Sequence, residues 1–274
     1  MRFLHAGKVK DVYDAGDGAL LFAFSDRVSA FDVKFADTIP RKGETLCAFA
    51  KFWFERIPGP NHYIRRVSSD TMLVRKLDMI PMECVVRGYL YGSLMERFRR
   101  GEASLPPGSG SALASPLAEP VFDPTTKSEH DVPVDRRGAI DGGLVSGDMF
   151  DELQERSTSI YNAMSDVVGK AGFILADLKL EFGIHEGTIH LADSIGPDEY
   201  RLWPRESYEP GRTQDAHDKQ ILRDWLVKNG WAERFERDRA AGRTPRAPPI
   251  PAEISRMMTA RYVSSYETIT GAAP

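Results

Sequence analysis

The heptapeptide ADLKLEF at residues 176–182 constrains the fold of this chain more than any other segment. Charged and apolar residues alternate along it, and successive side chains of a β-strand point to opposite faces of the sheet. The pattern predicts a strand with Asp177, Lys179 and Glu181 on one face and apolar side chains on the other. The charged face is either exposed to water or the floor of a catalytic site, where carboxylates hold a divalent cation and the lysine holds an anion.

A second strand, predicted over residues 188–193, returns beside the first and ends at Asp193. The length of the connecting turn decides which face Asp193 joins, because a slip of one residue moves every side chain to the opposite face. A two-residue turn would pair Asp193 with Leu180, on the apolar face. We favour a three-residue loop over residues 185–187, which pairs Asp193 with Lys179.

This register makes Glu181 and Asp193 diagonal neighbours, and we predict that they bind one metal ion together. Mg²⁺ is usually held by one or two carboxylates, with water and substrate phosphates completing its shell. The same register turns Ile189 and Leu191 toward the site, where we expect them to form an apolar wall for an adenine or a sugar.

The rest of the chain indicates an α+β fold. A hairpin is predicted over residues 9–24, and its second strand, 19–24, contains an apolar run over 20–24 from which we expect both of its faces to be buried. We expect a small antiparallel β domain over residues 1–86 and a larger α/β domain with closing C-terminal helices over residues 87–274. Apolar spacing, glycines and prolines predict the other elements, namely helices over 43–56, 90–100, 148–170, 218–229 and 251–268 and strands over 71–77, 83–86 and 173–182.

The overall composition excludes several classes of protein. The 274 residues are 42% hydrophobic and 28% charged, as in ordinary globular proteins. The formal net charge of −4 argues against a nucleic-acid-binding protein. The sequence contains no run of about 18 apolar residues, so no membrane-spanning helix is expected. The N-terminus lacks the apolar stretch of a secretory signal, and Cys47 and Cys84 have no CxxC partner, so we expect a cytoplasmic location.

Two segments carry residues suited to phosphate groups. GKVKDVY at residues 7–13 places a glycine before a strand with two lysines on one face, which can fold over nucleotide phosphates, although such lysines also occur on solvent-exposed strands. The segment from Arg87 to Ser93 joins a predicted strand to a predicted helix. An arginine and free helix N–H groups there suit a phosphate monoester, and the alternative is a glycine-containing turn with an exposed arginine.

Two further segments are rich in polar residues. SDRVSAFD at residues 25–32 follows an apolar strand, and its polar side chains either line a site or cap the backbone of a turn. EPVFDPTTKSEHD at residues 119–131 is stiffened by two prolines and can order over a ligand.

Taken together, six segments resemble one family, the phosphoribosylaminoimidazole-succinocarboxamide synthase (SAICAR synthase) family of purine biosynthesis. They follow one another between residues 7 and 204 in the order and at the spacing of the family, and DKQILRDWL at 218–226 continues the match. Any one segment is weakly specific, whereas six in order are highly specific. The segments are GKVKDVY, SDRVSAFD, RKLDMIPMECVVRGYLYGS, EPVFDPTTKSEHD, ADLKLEFG and DSIGPDEYRLWP.

The resemblance implies an activity and a fold. Members of the family couple ATP cleavage to amide formation between 5-amino-4-imidazolecarboxylate ribonucleotide (CAIR) and L-aspartate, which gives SAICAR, ADP and phosphate. An acyl phosphate of CAIR is the expected intermediate, and Mg²⁺ is the expected metal. The implied fold is two-lobed and ATP-grasp-like, with ATP in the cleft. Neither a nucleic acid nor a membrane is an expected partner, and assembly into a homo-oligomer is left open.

The resemblance also implies roles for individual residues. The residues expected to bind ATP are Lys8, Lys10 and Lys76 (or its neighbour Arg75) at its phosphates, and Met82, Glu83 and Val85, whose backbone is expected to contact adenine. Those expected to bind the ribotide phosphate are Arg87, Ser93 and Arg201, and those expected to help bind aspartate or the ribotide are Ser25, Asp26, Arg27 and Asp32. Those expected near the reacting carboxylate are Asp177, Lys179 and Lys127, and those expected to hold Mg²⁺ are Glu181 and Asp193.

The chain departs from the family pattern at two points. The family usually has an Asp-Glu pair where this chain has Asp193-Ser194, and it usually has small residues where Glu199-Tyr200 precede Arg201. The second difference is expected to change the rim around the ribotide phosphate.

Two rival functions share some of these features. A kinase-like small-molecule phosphotransferase would use the same glycine–lysine loop, strand lysine and paired carboxylates, but the HRD and DFG motifs of protein kinases are absent from the sequence. The other rival is a binding module that has lost catalysis, and the presence of both carboxylates and all the lysines argues against it.

Overall fold

The computed structural model describes residues 1–31, 33–127, 132–243 and 245–274. In these ranges two large antiparallel sheets and one short hairpin pack with helices. The strands are β1 (Arg2–Ala6), β2 (Lys10–Gly16), β3 (Ala19–Phe24), β4 (Arg27–Ala30), β5 (Val33–Thr38), β6 (Tyr63–Arg66), β7 (Thr71–Arg75), β8 (Asp78–Tyr89), β9 (Pro116–Phe122), β10 (Thr125–Thr126), β11 (Phe173–His185), β12 (Thr188–Ala192) and β13 (Tyr200–Pro204). The helices are α1 (Lys42–Phe54), α2 (Gly92–Arg99), α3 (Arg136–Asp141), α4 (Gly147–Lys170), α5 (Gln220–Lys228), α6 (Trp231–Ala240) and α7 (Ala252–Thr270).

The first sheet has the strand order β1-β2-β3-β7-β6. The predicted hairpin over residues 9–24 is confirmed as β2 and β3. The prediction that β3 is buried on both faces is wrong, since Phe22 and Phe24 are buried but Leu21 and Ala23, on the opposite face, are only partly buried. An antiparallel sheet can pack one face on the core and leave the other accessible, and an apolar run alone does not reveal this.

The second sheet has the strand order β10-β8-β11-β12. In addition, β13 pairs with β11 and β9 pairs with β8. Its strand β11 contains the alternating heptapeptide. As the alternation predicts, the apolar side chains of that segment are buried in the core. The predicted helix over 148–170 is confirmed as α4, which packs across β11 and β8 with its apolar stripe inward.

The turn between β11 and β12 has two residues, Glu186 and Gly187, so the predicted three-residue loop is wrong. Glu181 pairs with Ala192, and the predicted pairing of Asp193 with Lys179 does not form. Both turn residues have positive φ, 48° and 75°. A two-residue turn of this kind matches the right-handed twist of the flanking strands.

This register also reverses the faces of β12. Ile189 and Leu191 are 5% and 2% exposed and belong to the main core instead of lining a site. The predicted apolar wall therefore has to come from other residues.

The two strands predicted over residues 71–77 and 83–86 are confirmed as β7 and β8, but β8 begins at Asp78 and runs through Pro81. Proline has no N–H for the ladder, and the pairing with β11 becomes irregular between Glu83 and Met79. This irregularity accommodates the proline within one strand. Because β8 continues to Tyr89, the next helix begins at Gly92 and not at residue 90 as predicted.

The C-terminal helices close the molecule against its N-terminal part. Helix α7 packs on α1, where the Tyr266 and Phe49 rings lie 4.9 Å apart, and it also contacts α5. Helix α6, which is not among the predicted helices, buries Trp231 and Phe235 near Phe31.

The predicted domain boundary at residue 86 falls within β8, which belongs to the second sheet over its whole length. The division into two domains at this residue stays a prediction. None of the described helices has the length and apolar character needed to span a lipid bilayer.

Candidate active site

A cavity of about 700 Å³ is lined by residues of both large sheets. Sites for small molecules and cofactors are commonly of this size. The cavity brings together most of the residues that the sequence analysis assigns. These are Lys8, Lys10, Glu83, Val85, Arg87, Ser93, Lys127, Asp177, Lys179, Glu181, Asp193 and Arg201.

The SDRVSAFD segment lines the cavity through Ser29, Ala30 and Phe31, whereas its first three side chains bind other parts of the protein. The Ser25 hydroxyl donates to a backbone carbonyl at 2.8 Å, and the Asp26 carboxylate accepts from a backbone N–H at 2.9 Å. Arg27 pairs with Asp11 at 2.6 Å. These contacts fit the alternative in which the polar residues cap the backbone, and Asp32 lies outside the described residues.

Two of the residues predicted to bind ATP, Lys76 and Met82, do not line the cavity. Arg75 lines the cavity and Lys76 does not, and Met82 is buried in the core. The cavity has an apolar wall, although Ile189 and Leu191 do not contribute to it. Its residues are Leu20, Leu77, Met79 and Val85.

The charged face of β11 forms the floor of the cavity. Asp177 and Glu181 are 6% and 8% exposed, so this face is not in bulk water. Burial disfavours the charged form of Lys179, but the neighbouring Glu83 and Glu181 more than offset this and raise its pKa, so the ammonium stays charged. The ion pairs on this face are Asp177 with Arg201, Lys179 with Glu83, and Glu181 with Lys127.

Asp193 reaches the cavity through its backbone conformation and not through strand pairing. It follows the last residue of β12 and has a φ of 59°, in the left-handed region that non-glycine residues rarely adopt. Lys10 donates to its carboxylate, and the His62 ring donates from Nε2 to its carbonyl at 3.0 Å. Asp193 and Glu181 therefore border one cavity although the predicted register is wrong.

The chemistry of Glu181 and Asp193 fits a Mg²⁺ site. Two carboxylates on one cavity are the usual number, with substrate oxygens and water as the other ligands. Burial and then Asp193 raise the pKa of Glu181, whereas Lys10 lowers the pKa of Asp193 despite its burial. A divalent cation between the two would offset their repulsion. Among the described residues no cluster of three or more metal-binding side chains occurs, so substrate oxygens would have to complete the shell.

A second group of cations lies where β8 leads into α2. Arg87 donates to the Ser93 hydroxyl at 2.9 Å and to Asp123 at 2.5 Å. Arg201 lies so close to Gly92 that a Cβ there would be 2.9 Å from its guanidinium, and the φ of 57° at Gly92 also favours glycine. Two guanidinium groups beside the start of a helix suit a phosphate monoester.

Four further charged residues also line the cavity, namely Asp198, Glu199, Lys219 and Arg223. Lys219 and Arg223 are four residues apart at the start of α5, a spacing that puts both on one helix face. That spacing is visible in the sequence. The packing of α5 against α7 decides that this face meets the cavity.

Known proteins resemble this chain in both sequence and fold. The SAICAR synthetase family model matches residues 3–238. The phosphoribosylaminoimidazole-succinocarboxamide synthase of Nitrosopumilus maritimus (strain SCM1) is 56% identical over 271 residues, which cover 99% of each chain.

Solved structures extend the likeness to the fold. SAICAR synthase from Saccharomyces cerevisiae, complexed with SAICAR, superposes with a TM-score of 0.82 at 31% identity, over 99% of this chain and 95% of the other. A SAICAR synthetase in complex with ADP superposes with a TM-score of 0.74 at 27% identity, over 98% of each chain. Because the match spans nearly the whole chain in both sequence and structure, this chain belongs to the SAICAR synthetase family.

Proposed function

We propose that this chain is an ATP-dependent ligase of purine biosynthesis that joins L-aspartate to the carboxylate of CAIR and releases SAICAR, ADP and phosphate. The observation that carries the proposal is one cavity that combines a lysine-rich part, a carboxylate pair and a guanidinium cluster. The 56% identical relative, and the structural neighbours bound to SAICAR and to ADP, support the same reaction.

ATP is assigned to the part of the cavity lined by the apolar wall and by Lys8 and Lys10. Lys10 is only 7% exposed, and its ammonium lies 4.9 Å from the centre of the Phe22 ring. It also donates to the Ser194 hydroxyl at 3.0 Å. A cation held this firmly is suited to phosphate oxygens, and the apolar wall is suited to a purine base.

The ribotide is assigned to the part of the cavity where β8 leads into α2, with its phosphate on Arg87, Ser93 and Arg201. This places its carboxylate over the charged face of β11, near Lys179 and Asp177. Lys127, which pairs with Glu181, is assigned to the same reacting centre.

The reaction needs a leaving group, because an amine cannot expel oxide from a carboxylate. Transfer of the γ-phosphoryl group of ATP to the CAIR carboxylate would give an acyl phosphate, from which the amine of aspartate then displaces phosphate. Lys10 and Lys179 would hold and neutralise the anionic groups as they approach, and such positioning is the main source of catalysis in phosphoryl transfer. Asp177 is the proposed acceptor of the proton that the amine loses.

Glu181 and Asp193 are the residues proposed to hold Mg²⁺. When bound, the ion supplies positive charge to phosphate oxygens. The lysines that now pair with the two carboxylates, Lys127 and Lys10, would share them with the metal. A cytoplasmic location and any oligomeric assembly stay predictions.

The proposal is tested by measuring ADP release from the purified chain. We expect release only when CAIR and L-aspartate are both present. Release that depends on a hydroxyl acceptor would support the phosphotransferase instead, and tight ATP binding without turnover would support a binding module.

The metal assignment is tested in the same assay with Glu181→Gln. This variant should lower kcat about a hundredfold or more, since one electrostatic group at the reacting phosphates is lost. Glu155→Gln, an exposed change on α4, is the matched control and should leave kcat unchanged. Near-normal activity of Glu181→Gln would contradict the assignment.

A further inference from the structure

Three charged side chains form a buried row that ends at the proposed phosphate site. Arg87 donates from Nε to the Asp123 carboxylate at 2.5 Å, and one nitrogen of Arg97 donates to both oxygens of that carboxylate, at 2.5 and 2.6 Å. The side chains of Arg87, Asp123 and Arg97 are 7%, 11% and 16% exposed. Arg87 lines the cavity, whereas Asp123 and Arg97, which the structure also describes, do not. Asp123 and Arg97 would therefore act on a ligand through Arg87.

The position of Asp123 is fixed by its neighbours in the chain and in the sheet. It follows the last residue of β9, and its N–H donates to the Val85 carbonyl of β8 at 2.8 Å. Pro124 comes next and disfavours a helical backbone at Asp123, which restricts the freedom of this residue. Arg97 lies in the last turn of α2, one helical turn after Ser93. The carboxylate is thus held by both a strand and a helix.

Arg87 lies between two carboxylates. Its Nε donates to Asp123, whereas its Nη1 lies 3.7 Å from an oxygen of Asp177, beyond hydrogen-bond distance. Asp177 is on the charged face of β11, where Arg201 donates to it. Without Asp123, the attraction of Asp177 would draw the Arg87 guanidinium toward β11. The pairing with Asp123 therefore sets the direction in which the guanidinium points.

The same pairing leaves Arg87 with donors for an anion. A guanidinium is planar and has five N–H donors in fixed directions. The hydrogen bonds described for Arg87 use two of them, one to Asp123 and one to the Ser93 hydroxyl at 2.9 Å. The other three are on the two terminal nitrogens, which is the arrangement that binds two phosphate oxygens at once. Because the group is rigid, holding Nε and one terminal nitrogen fixes the direction of all five donors.

We propose that Asp123, held by Arg97, is a positioning residue that orients Arg87 toward the phosphate of the ribotide. This inference rests on the proposed function, which puts the phosphate of CAIR on Arg87, Ser93 and Arg201. The charge of Asp123 by itself opposes this binding, because a nearby carboxylate repels a phosphate. Orientation and charge therefore predict opposite effects when the carboxylate is neutralised.

The test is the variant Asp123→Asn, which removes the charge and keeps the shape of the side chain. If Asp123 orients Arg87, KM for CAIR should rise about tenfold or more, because hydrogen bonds between charged groups weaken steeply when they are misaligned. If only its charge mattered, KM for CAIR would fall. The values of kcat and of KM for ATP and L-aspartate should stay within about twofold.

Two comparisons separate positioning from a structural role. The nucleoside of CAIR, which lacks the phosphate, is used as a second substrate, and Asp123→Asn should change its kcat/KM by less than about twofold. The second comparison uses Arg87→Gln, which removes the guanidinium. In that background Asp123→Asn should change KM for CAIR by no more than about twofold, since the effects of two residues that act through one another are not additive.

Three further variants complete the experiment. Asp123→Glu keeps the charge and should recover part of the affinity for CAIR. Arg97→Gln releases the carboxylate without neutralising it and should also raise KM for CAIR, which provides the same test should Asp123→Asn fail to fold. Asp151→Asn is the matched control and should change no constant, because Asp151 accepts two hydrogen bonds from Arg136 but is 56% exposed and lies outside the cavity.

Two results would overturn the positioning role of Asp123. One is a KM for CAIR that is unchanged or lower in Asp123→Asn, and the other is an equal loss of kcat/KM with CAIR and with its nucleoside. Absence of CAIR-dependent ADP release by the unmodified chain would instead overturn the proposed function.

Discussion

His62 shows how a single residue outside the reacting centre shapes the site. Its ring lies between Phe22 and Phe54, with ring centroids 5.6 and 5.3 Å away, and it is 4% exposed. From there Nε2 donates to the carbonyl of Asp193, whose left-handed backbone turns its carboxylate into the cavity. The apolar surroundings favour the neutral ring and lower the pKa of His62 to about 4.

This burial predicts a loss of stability in acid. Between the ordinary pKa of histidine, about 6.5, and the folded value of about 4, the unfolded chain binds a proton at His62 and the folded chain does not. The free energy of unfolding should therefore be fully retained above about pH 6.5 and fall as the pH is lowered, by up to about 3 kcal/mol. Urea unfolding measured across this range gives the slope.

The variant His62→Gln isolates this contribution. Glutamine can still donate to the Asp193 carbonyl and does not titrate, so the unfolding free energy of the variant should depend less on pH. His5→Gln, at an exposed position, should keep the slope of the unmodified chain. Equal slopes for the unmodified chain and His62→Gln would contradict the prediction.

At the scale of elements, the hairpin of β11 and β12 controls which side chains meet. The two-residue turn sets a register that sends the apolar side chains of both strands into the core and leaves the charged face of β11 on the cavity. Glu186 has a φ of 48°, which costs more for glutamate than for asparagine or glycine. Its side chain is 86% exposed, so packing does not compensate for this cost.

The turn predicts opposite effects for two substitutions. Glu186→Asn gives the Asn-Gly pair that two-residue hairpin turns prefer, and it should raise the free energy of unfolding by about 0.5 kcal/mol. Gly187→Ala should lower it by about 1 kcal/mol, because a methyl group at a φ of 75° is strained. No described atom lies within 4 Å of that methyl position, so a clash cannot explain the loss. Urea denaturation of both variants measures the differences, and a neutral Gly187→Ala would argue against this turn.

At the scale of the whole molecule, one buried carboxylate joins distant parts of the chain. Asp198, in the loop before β13, accepts from Lys42 of α1 and from Tyr262 of α7, each at 2.9 Å. Lys219 at the start of α5 lies 3.5 Å away. These partners hold the pKa of Asp198 well below its usual range although burial acts in the other direction. The N-terminal helix, the C-terminal helix and the cavity rim are thus fastened at one point.

This arrangement predicts unequal roles for two lysines of α1. Lys42→Met removes a partner from a buried charge and should cost about 3 kcal/mol of unfolding free energy. Lys51→Met removes an exposed pair with Glu55 of the same 2.9 Å length and should cost less than about 1 kcal/mol. Denaturant unfolding of the two variants under identical conditions is the measurement. Equal losses would show that burial does not set the strength of the Asp198 cluster.

Much of the fold was predictable because its signals are local. The period of two in β11 and the helical period in α4 can be counted along the chain, and both elements are confirmed. Helix α6 escaped prediction because its buried residues, Trp231 and Phe235, contact Phe31 far away in the sequence. Local periodicity does not show which partner covers a face.

The same distinction applies to the cavity. The heptapeptide at residues 176–182 alone determines that Asp177, Lys179 and Glu181 share one face, because successive side chains of a strand point to opposite faces. Whether Asp193 meets them could be settled only in three dimensions, since it depends on a left-handed backbone held by distant residues. The same is true of Glu199, which lines the cavity because of the long-range packing around it. The amino-acid sequence sets the spacing of apolar and charged residues along each strand or helix, and long-range packing decides which charged groups meet.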